Sequence, residues 1–152
     1  MWSGSSFENI AAAFELGRRR RGNEENERVK ITSSHLAFEI LNTRLSDLPH
    51  EEFWVLLLNR ANHVIREECI SKGGVSGTVV DVRIVCKTAI ENYASGVILS
   101  HNHPSGQLQP SMEDRNITKK LRDALHLFDI KLLDHIIIGD RKYLSFNDEG
   151  IL

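Results

Sequence analysis

Residues 96–106 have the sequence GVILSHNHPSG, in which a short apolar run leads directly into two histidines and a Pro-Ser-Gly turn. An uninterrupted apolar run of this length is typical of a strand that is buried in a sheet. Polar groups at the carboxyl end of such a strand lie where open α/β sheets usually bind ligands. The segment therefore predicts a central strand of an α/β fold that presents His101 and His103 at its end.

The segments on both sides alternate between helical spacing and short apolar runs. The run EFWVLLLN and the segment after it predict a buried antiparallel hairpin. We predict helices from Thr32 or Ser33 to Leu45, at 82–93 and at 111–127, and strands at 52–59, 64–71, 78–80, 96–100, 131–139 and 143–146. This order predicts an α/β sandwich with a mixed sheet rather than a doubly wound parallel sheet.

Two histidines one residue apart in an extended segment point to the same side, so His101 and His103 can bind one ion. The sequence SMED follows after a Pro/Gly-bearing loop, and its Asp114 falls in the first turn of a predicted helix. That loop can return Asp114 as a third ligand. Two imidazoles and one carboxylate leave a fourth position for water, as in catalytic zinc sites. Ser111, at the start of the helix, is a candidate donor to an oxyanion.

Each half of this pattern also has an ordinary explanation. Ser111 followed three residues later by Asp114 is typical of a helix N-cap with an acidic residue in the first turn, which needs no metal. A His-x-His pair can equally be a polar loop after a strand. The coincidence of both halves behind one apolar strand favours a metal site.

Composition limits the other classes of function. The chain has 152 residues, of which 41% are hydrophobic, and this is enough for one domain with a core. Its formal charge of -2 gives no overall attraction for nucleic acid. Cys69 and Cys86 form no C-x-x-C pattern, so neither a disulfide scaffold nor a cysteine-rich zinc module is indicated. Without an apolar span or a signal-peptide pattern, we expect a cytoplasmic protein with no membrane partner.

Residues 1–31 differ in character from the rest and predict a short helix, at residues 7–20, followed by a polar linker. Four arginines lie at and just after the end of this helix, namely Arg18, Arg19, Arg20 and Arg21. They suit either a nucleic-acid-binding arm or a solvated helix end, where cations complement the helix dipole. The acidic cluster that follows favours the solvated helix end. The remaining residues, 32–152, form the predicted catalytic domain.

The pattern H-x-H, seven residues and S-x-x-D, together with HNHPSG and the later LDHIIIG, resembles the RadC family. This is a bacterial branch of the JAB/MPN domains that carry the JAMM metalloprotease motif. The resemblance covers about residues 32–152 and implies a three-layer, cytidine-deaminase-like sandwich. It also implies zinc bound by His101, His103 and Asp114, and a metallopeptidase or isopeptidase activity. Full-length members resemble helix-hairpin-helix proteins in an N-terminal domain, of which residues 7–20 would be a remnant.

The same resemblance implies an upstream glutamate that acts as general base. Glu52, ahead of an apolar strand, fits that position best; Glu51 is its neighbour on the opposite face, and Glu67 and Glu68 are weaker alternatives. Glu52 would remove a proton from the activated water and pass it to the leaving amine of a peptide or isopeptide substrate. Ser111 would hydrogen-bond the oxyanion.

Other residues and functions remain open at this point. Asp134 and His135 either orient a ligand imidazole through its second nitrogen or form a structural polar pair, and their apolar neighbours favour the structural pair. Asn102 stands where the protease members have a small hydroxyl residue. The alternative functions are a nucleic-acid-binding module, in line with the family's DNA-repair label, and a metal-dependent nuclease. No motif in this chain supports the DNA-repair label.

Overall fold

The computed structural model describes residues 28–73 and 78–152. These residues form three helices and five strands. The helices are α1 (Ser34–Leu45), α2 (Val82–Glu91) and α3 (Met112–His126). The strands are β1 (Glu52–Leu58), β2 (Val64–Lys72), β3 (Gly96–Asn102), β4 (Lys131–Gly139) and β5 (Lys142–Ser145). The predicted helix at residues 7–20 and its four arginines lie outside the described residues.

The five strands form one mixed sheet in the order β2-β1-β3-β4-β5. β1 pairs antiparallel with β2 and with β3, β3 pairs parallel with β4, and β4 pairs antiparallel with β5. The connection between the two parallel strands passes through α3, because parallel neighbours need a crossover. All residues of β3 are buried, which confirms the predicted central strand. β3 also extends to Asn102, so His101 is part of the sheet.

Helices cover both faces of the sheet, which confirms the predicted three-layer, mixed-sheet α/β architecture. α2 and α3 pack on one face, here the α2–α3 face, and α1 packs on the other, the α1 face. The core of the α2–α3 face includes Val55, Leu57, Val85, Ala89, Leu99, Leu121 and Leu125. The core of the α1 face includes Ala37, Leu41, Leu45, Leu56, Leu58, Ile98 and Ile136.

A β-bulge in β4 decides which of its side chains faces which layer. Val97 pairs with Leu132 but Ile98 pairs with Asp134, so Leu133 is the extra residue. Directly opposed residues of paired strands point to the same face, and Ile98 belongs to the α1 face. Asp134 therefore points towards the α1 face. Its neighbour His135 then points towards the α2–α3 face, because the bulge shifts the alternation by one residue.

One predicted element is wrong. Residues 78–80 are not a strand, and they have no ladder partner among the described residues. Val79 is 89% exposed. Three consecutive residues that include two valines have strand propensity, but propensity forms a strand only where a neighbouring strand offers hydrogen bonds. The other helices and strands predicted within residues 28–73 and 78–152 are confirmed, with ends that differ by a few residues.

None of the described helices combines the length and the apolar character that a membrane span requires.

Candidate metal centre

Three side chains converge where the carboxyl end of β3 meets the amino end of α3. His101 Nε2 lies 2.9 Å from His103 Nε2. Asp114 Oδ1 lies 3.2 Å from His101 Nε2, and Asp114 Oδ2 lies 3.3 Å from His103 Nε2. The structure thus brings the three predicted ligands together, and this cluster can hold a metal ion.

Ser111 is the N-cap of α3 and fixes the position of Asp114. Its hydroxyl oxygen accepts a hydrogen bond from the Asp114 N–H at 3.0 Å, and the Asp114 carboxylate accepts one from the Ser111 N–H at 2.8 Å. These two bonds form a capping box. Because Ser111 Oγ acts as acceptor in the cap, its own hydrogen is free to donate into the site. Ser111 and Asp114 can therefore cap the helix and belong to the metal site at the same time.

The tautomer of His103 follows from its Nδ1 contact. Nδ1 lies 2.7 Å from the backbone carbonyl oxygen of Gln107, which can only accept a hydrogen bond. Nδ1 must carry the proton in that bond. In the neutral imidazole, Nε2 then presents a lone pair towards His101 and Asp114.

The tautomer of His101 follows from a longer chain of contacts. The Thr118 hydroxyl donates to the Asp114 carbonyl oxygen at 2.6 Å, so it accepts from His135 Nδ1, which is also 2.6 Å away. His135 Nε2 then accepts from His101 Nδ1 at 2.8 Å. Burial, with the adjacent His101, lowers the pKa of His135 well below its usual value, so His135 is neutral and can act in this way. His101 Nε2 therefore also presents a lone pair.

These contacts allow a test of whether the site suits a metal ion. Two imidazole lone pairs and a carboxylate face one another without a donor hydrogen, which is unfavourable unless a cation lies between them. A tetrahedral ion with bonds of about 2.0–2.1 Å holds its ligand atoms about 3.4 Å apart. The two histidine–carboxylate separations are close to this value, and the 2.9 Å between the two Nε2 atoms is shorter. Two nitrogens and a carboxylate oxygen are a donor set that zinc binds in catalytic sites. The residues present therefore fit a divalent ion.

In the metal-free protein, a proton can lie between these side chains where the ion would bind. A hydrogen bond to Asp114 raises the pKa of His103 above its usual value, although burial acts in the opposite direction. Burial tends to raise the pKa of Asp114, but His101 and His103, which donate hydrogen bonds to the carboxylate when they are protonated, outweigh burial and lower that pKa far below the usual carboxyl range. The carboxylate is therefore ionised, as a ligand must be.

The predicted placement of Glu52 at this centre is wrong. Phe53 is paired with His101 and its ring stacks on the imidazole, with 6.0 Å between the centroids. The neighbouring Glu52 therefore points to the other face of the sheet. Its carboxylate accepts a hydrogen bond from Trp54 Nε1 at 3.0 Å and lies 2.7 Å from His50 Nε2. Burial tends to raise the pKa of Glu52, but these two hydrogen bonds lower it overall.

Glu51 occupies the position that Glu52 was expected to fill. Glu51 lines the same cleft as the three ligands, and the Thr78 hydroxyl donates to its carboxylate at 3.4 Å. Strand alternation correctly predicted that Glu51 and Glu52 point to opposite faces of the sheet. Which of them faces the histidines depends on the register between β1 and β3. The weaker alternatives lie elsewhere, because Glu67 pairs with Arg44 and Glu68 pairs with Arg66.

A cleft of about 650 Å³ opens over the three ligands. Part of its wall is apolar and consists of Phe53, Val79, Val80 and Ile117. Its charged lining residues are Glu51, Glu113 and Asp114, and no lysine or arginine is among the described residues that line it. The cleft therefore combines an acidic floor with an apolar wall.

Comparison with known proteins agrees with this geometry. Residues 31–151 match the family described as RadC-like JAB domain. The chain belongs to this family. A UPF0758 protein of Flavobacterium johnsoniae is 55% identical over 143 residues, which are 94% of this chain and 62% of that protein. A UPF0758 protein of Porphyromonas gingivalis is 46% identical over 144 residues, which are 94% of this chain and 63% of that protein. The chain thus spans less than two thirds of the length of these relatives.

Membership of the RadC-like JAB domain family confirms the resemblance seen in the sequence motifs. It also supports a fold of the metal-dependent hydrolase type, in agreement with the cluster of two histidines and an aspartate. The predicted pair Asp134 and His135 divides between two tasks in this domain. His135 contacts the ligand His101, whereas Asp134 accepts hydrogen bonds from Ser145 Oγ and the Asn147 N–H and so holds the turn after β5.

Sequence reasoning missed two residues of this JAB-domain centre. Thr118 lies four residues after Asp114 on α3, so helical spacing could have identified it as a neighbour. Gln107 contributes only its backbone carbonyl to His103. The identity of its side chain therefore carries no signal for this contact.

Proposed function

We propose that this RadC-like JAB domain hydrolyses peptide or isopeptide bonds with the help of a zinc ion. The observation that carries the proposal is the convergence of His101 Nε2, His103 Nε2 and the Asp114 carboxylate on the floor of a cleft, with Glu51 on its wall. These three residues would hold the ion. When bound, the ion supplies the Lewis acidity that activates a water molecule and polarises a carbonyl oxygen.

The remaining chemistry is assigned to side chains of this chain. Glu51 accepts a proton from the attacking water and returns it to the leaving amine. The free hydroxyl hydrogen of Ser111 donates to the oxyanion that develops on the carbonyl oxygen. His135 keeps the Nδ1 proton of His101 in place, so that Nε2 remains available as a ligand.

The charges of the cleft favour a polypeptide over a nucleic acid. Enzymes that bind a phosphodiester backbone supply lysine or arginine to it, and the described lining residues include neither. The acidic residues Glu51 and Glu113 would repel phosphates. The apolar wall of Phe53, Val79, Val80 and Ile117 suits peptide side chains instead. The nucleic-acid-binding alternative then rests on Arg18–Arg21, which lie outside the described residues.

The test compares Glu51→Gln with Glu52→Gln in the full chain. The two residues are adjacent, at the start of β1, and of the same type, but only Glu51 lines the cleft, so Glu52→Gln is a matched control. Metal content is measured by elemental analysis, and hydrolysis is measured on pools of fluorogenic peptides and isopeptides.

We expect about one zinc ion per chain in the wild type and both glutamine variants, and none in the His101→Ala/His103→Ala double variant. Only Glu51→Gln should lose activity among the metal-bound proteins, by on the order of 10²–10⁴-fold. Cleavage of nucleic acid but of no peptide pool would contradict the proposal, and so would full activity of Glu51→Gln.

A further inference from the structure

Asn102 lies between the two ligand histidines but points away from them. It is the last residue of β3 and is 3% exposed. Its side-chain oxygen Oδ1 accepts a hydrogen bond from the Glu52 N–H at 2.8 Å. Its side-chain nitrogen Nδ2 donates to the His50 carbonyl oxygen at 2.9 Å. One amide group thus binds the backbone on both sides of Glu51.

These two bonds continue the sheet beyond the point where the backbone ladder stops. The last residue pair between β1 and β3 is Phe53 with His101. The Asn102 amide holds residues 50–52 on the β3 side, and the Gly73 N–H donates to the Glu51 carbonyl oxygen at 2.7 Å on the β2 side. The backbone of Glu51 is therefore held from both directions.

The geometry points to Asn102 as the residue that positions Glu51 relative to the three ligands. This inference rests on the proposed function, in which Glu51 is the base. Asn102 shares a rigid strand end with His101 and directly precedes His103, so its amide fixes the distance between the base and the ligands. A primary amide suits this task because it carries a donor and an acceptor together, whereas a carboxylate lacks the donor.

Three variants of the full chain test the inference. Asn102→Leu keeps most of the side-chain volume and removes both hydrogen bonds. Asn102→Asp keeps the acceptor for the Glu52 N–H but places an oxygen against the His50 carbonyl. It replaces Asn102→Leu as the test variant if Asn102→Leu does not fold. Ser100→Ala is the matched control, because Ser100 is also buried on β3 and donates to the Ile136 carbonyl, away from residues 50–52.

The first readout needs neither metal nor substrate. Amide hydrogen exchange of the metal-free protein should be faster at Glu52 in Asn102→Leu by about tenfold or more, since the amide loses its acceptor. Exchange at Glu52 should be unchanged in Ser100→Ala and largely retained in Asn102→Asp. The second readout is zinc stoichiometry, which should remain that of the wild type in all three variants.

The third readout is the split between kcat and KM on the best peptide substrate. A displacement of about 1 Å of a catalytic group lowers rates on the order of 10²-fold, so kcat of Asn102→Leu should fall by about 10–100-fold with little change in KM. Asn102→Asp should lie between Asn102→Leu and the wild type, and Ser100→Ala should match the wild type.

Wild-type kcat in Asn102→Leu would overturn the inference while leaving the proposed function intact. Loss of zinc in parallel with the rate would also overturn it, because Asn102 would then support the ligand strand rather than the base. If the wild type cleaves no peptide, the proposed function fails, and with it the role of Glu51 as a base that Asn102 positions. Unchanged hydrogen exchange at Glu52 in Asn102→Leu would remove the structural basis of the inference, whether or not the proposed function holds.

Discussion

Replacing Thr118 with valine tests the hydrogen-bond chain behind His101 with little change in side-chain shape. Thr118 is buried, and its hydroxyl contacts both His135 Nδ1 and the Asp114 carbonyl oxygen. Valine leaves the Nδ1 hydrogen of the fully buried His135 without an acceptor, which costs about 1–3 kcal/mol. The Asp114 carbonyl loses less, because the α3 backbone still offers it a hydrogen bond.

This penalty should fall mainly on the metal-bound state. An ion on His101 Nε2 requires the Nδ1 proton of His101 to point at His135, and the His135 proton must then face residue 118. In metal-free Thr118→Val, where the hydroxyl no longer fixes the proton on His135 Nδ1, both imidazoles can switch tautomer, which places a hydrogen on His101 Nε2 next to the Asp114 oxygen 3.2 Å away. We therefore expect zinc affinity to fall by about 10–100-fold, as for other groups that orient a ligand histidine.

Competition titration against a chelator measures this affinity, and thermal unfolding with and without zinc gives an independent estimate. Thr118→Ser is the control, because it keeps the hydroxyl and should bind zinc about as tightly as the wild type. The increase in unfolding temperature that zinc causes should be smaller than in the wild type for Thr118→Val only. Equal zinc affinity in Thr118→Val and the wild type would refute the tautomer argument for His101.

Two further predictions concern the loop and the protonation of the same centre. Gly139→Ala would place its Cβ 3.0 Å from the backbone of Gly106, in the turn after His103, so we expect a loss of about 1–3 kcal/mol of stability and weaker zinc binding. Gly150→Ala, with φ of +67° and open space around it, should lose stability without changing zinc affinity, and equal affinities in both variants would contradict the prediction. The raised pKa of His103 means that the metal-free site keeps its proton to a higher pH than a free histidine, so zinc affinity should fall about tenfold per pH unit below that pKa. Titrations between pH 6 and 8.5 measure the dependence, and a flat profile would contradict it.

The parts of the fold that the sequence predicts well are those set by local patterns. The apolar run of β3, the helical spacing of α3 and the His-x-His pair each depend on residues close together in the chain. The positions of Glu51 and Glu52 depend instead on which residue of β1 lies opposite His101, and that register is a long-range feature. Alternation alone predicts that the two glutamates point to opposite faces of the sheet, but it does not predict which one faces the histidines.

The two alternatives for Asp134 and His135 could not be separated from the sequence for a related reason. Strict alternation from Leu132, which packs on the α2–α3 face, would place Asp134 on the side of the histidines. The bulge at Leu133 reverses this and brings His135 to His101. No residue in LDHIIIG marks a bulge, because leucine is compatible with a regular strand. The contacts of Asp134 agree with the structural alternative, and the contact of His135 with His101 agrees with the alternative of a residue that orients an imidazole.

The helix cap and the metal ligand, treated as competing explanations of Ser111 and Asp114, are compatible because the cap engages only one of the two Asp114 oxygens. Oδ2 accepts from the Ser111 N–H and also faces His103 Nε2, whereas Oδ1 makes no cap bond and faces His101 Nε2. The contacts that orient all three ligands are made by the protein itself, through Ser111, Gln107 and His135. A site that is ordered before the ion binds needs little rearrangement to accept it, in contrast to small zinc modules that fold only with their metal. The folding of this domain should therefore depend on its two apolar cores, and the ion should add stability to a fold that already exists.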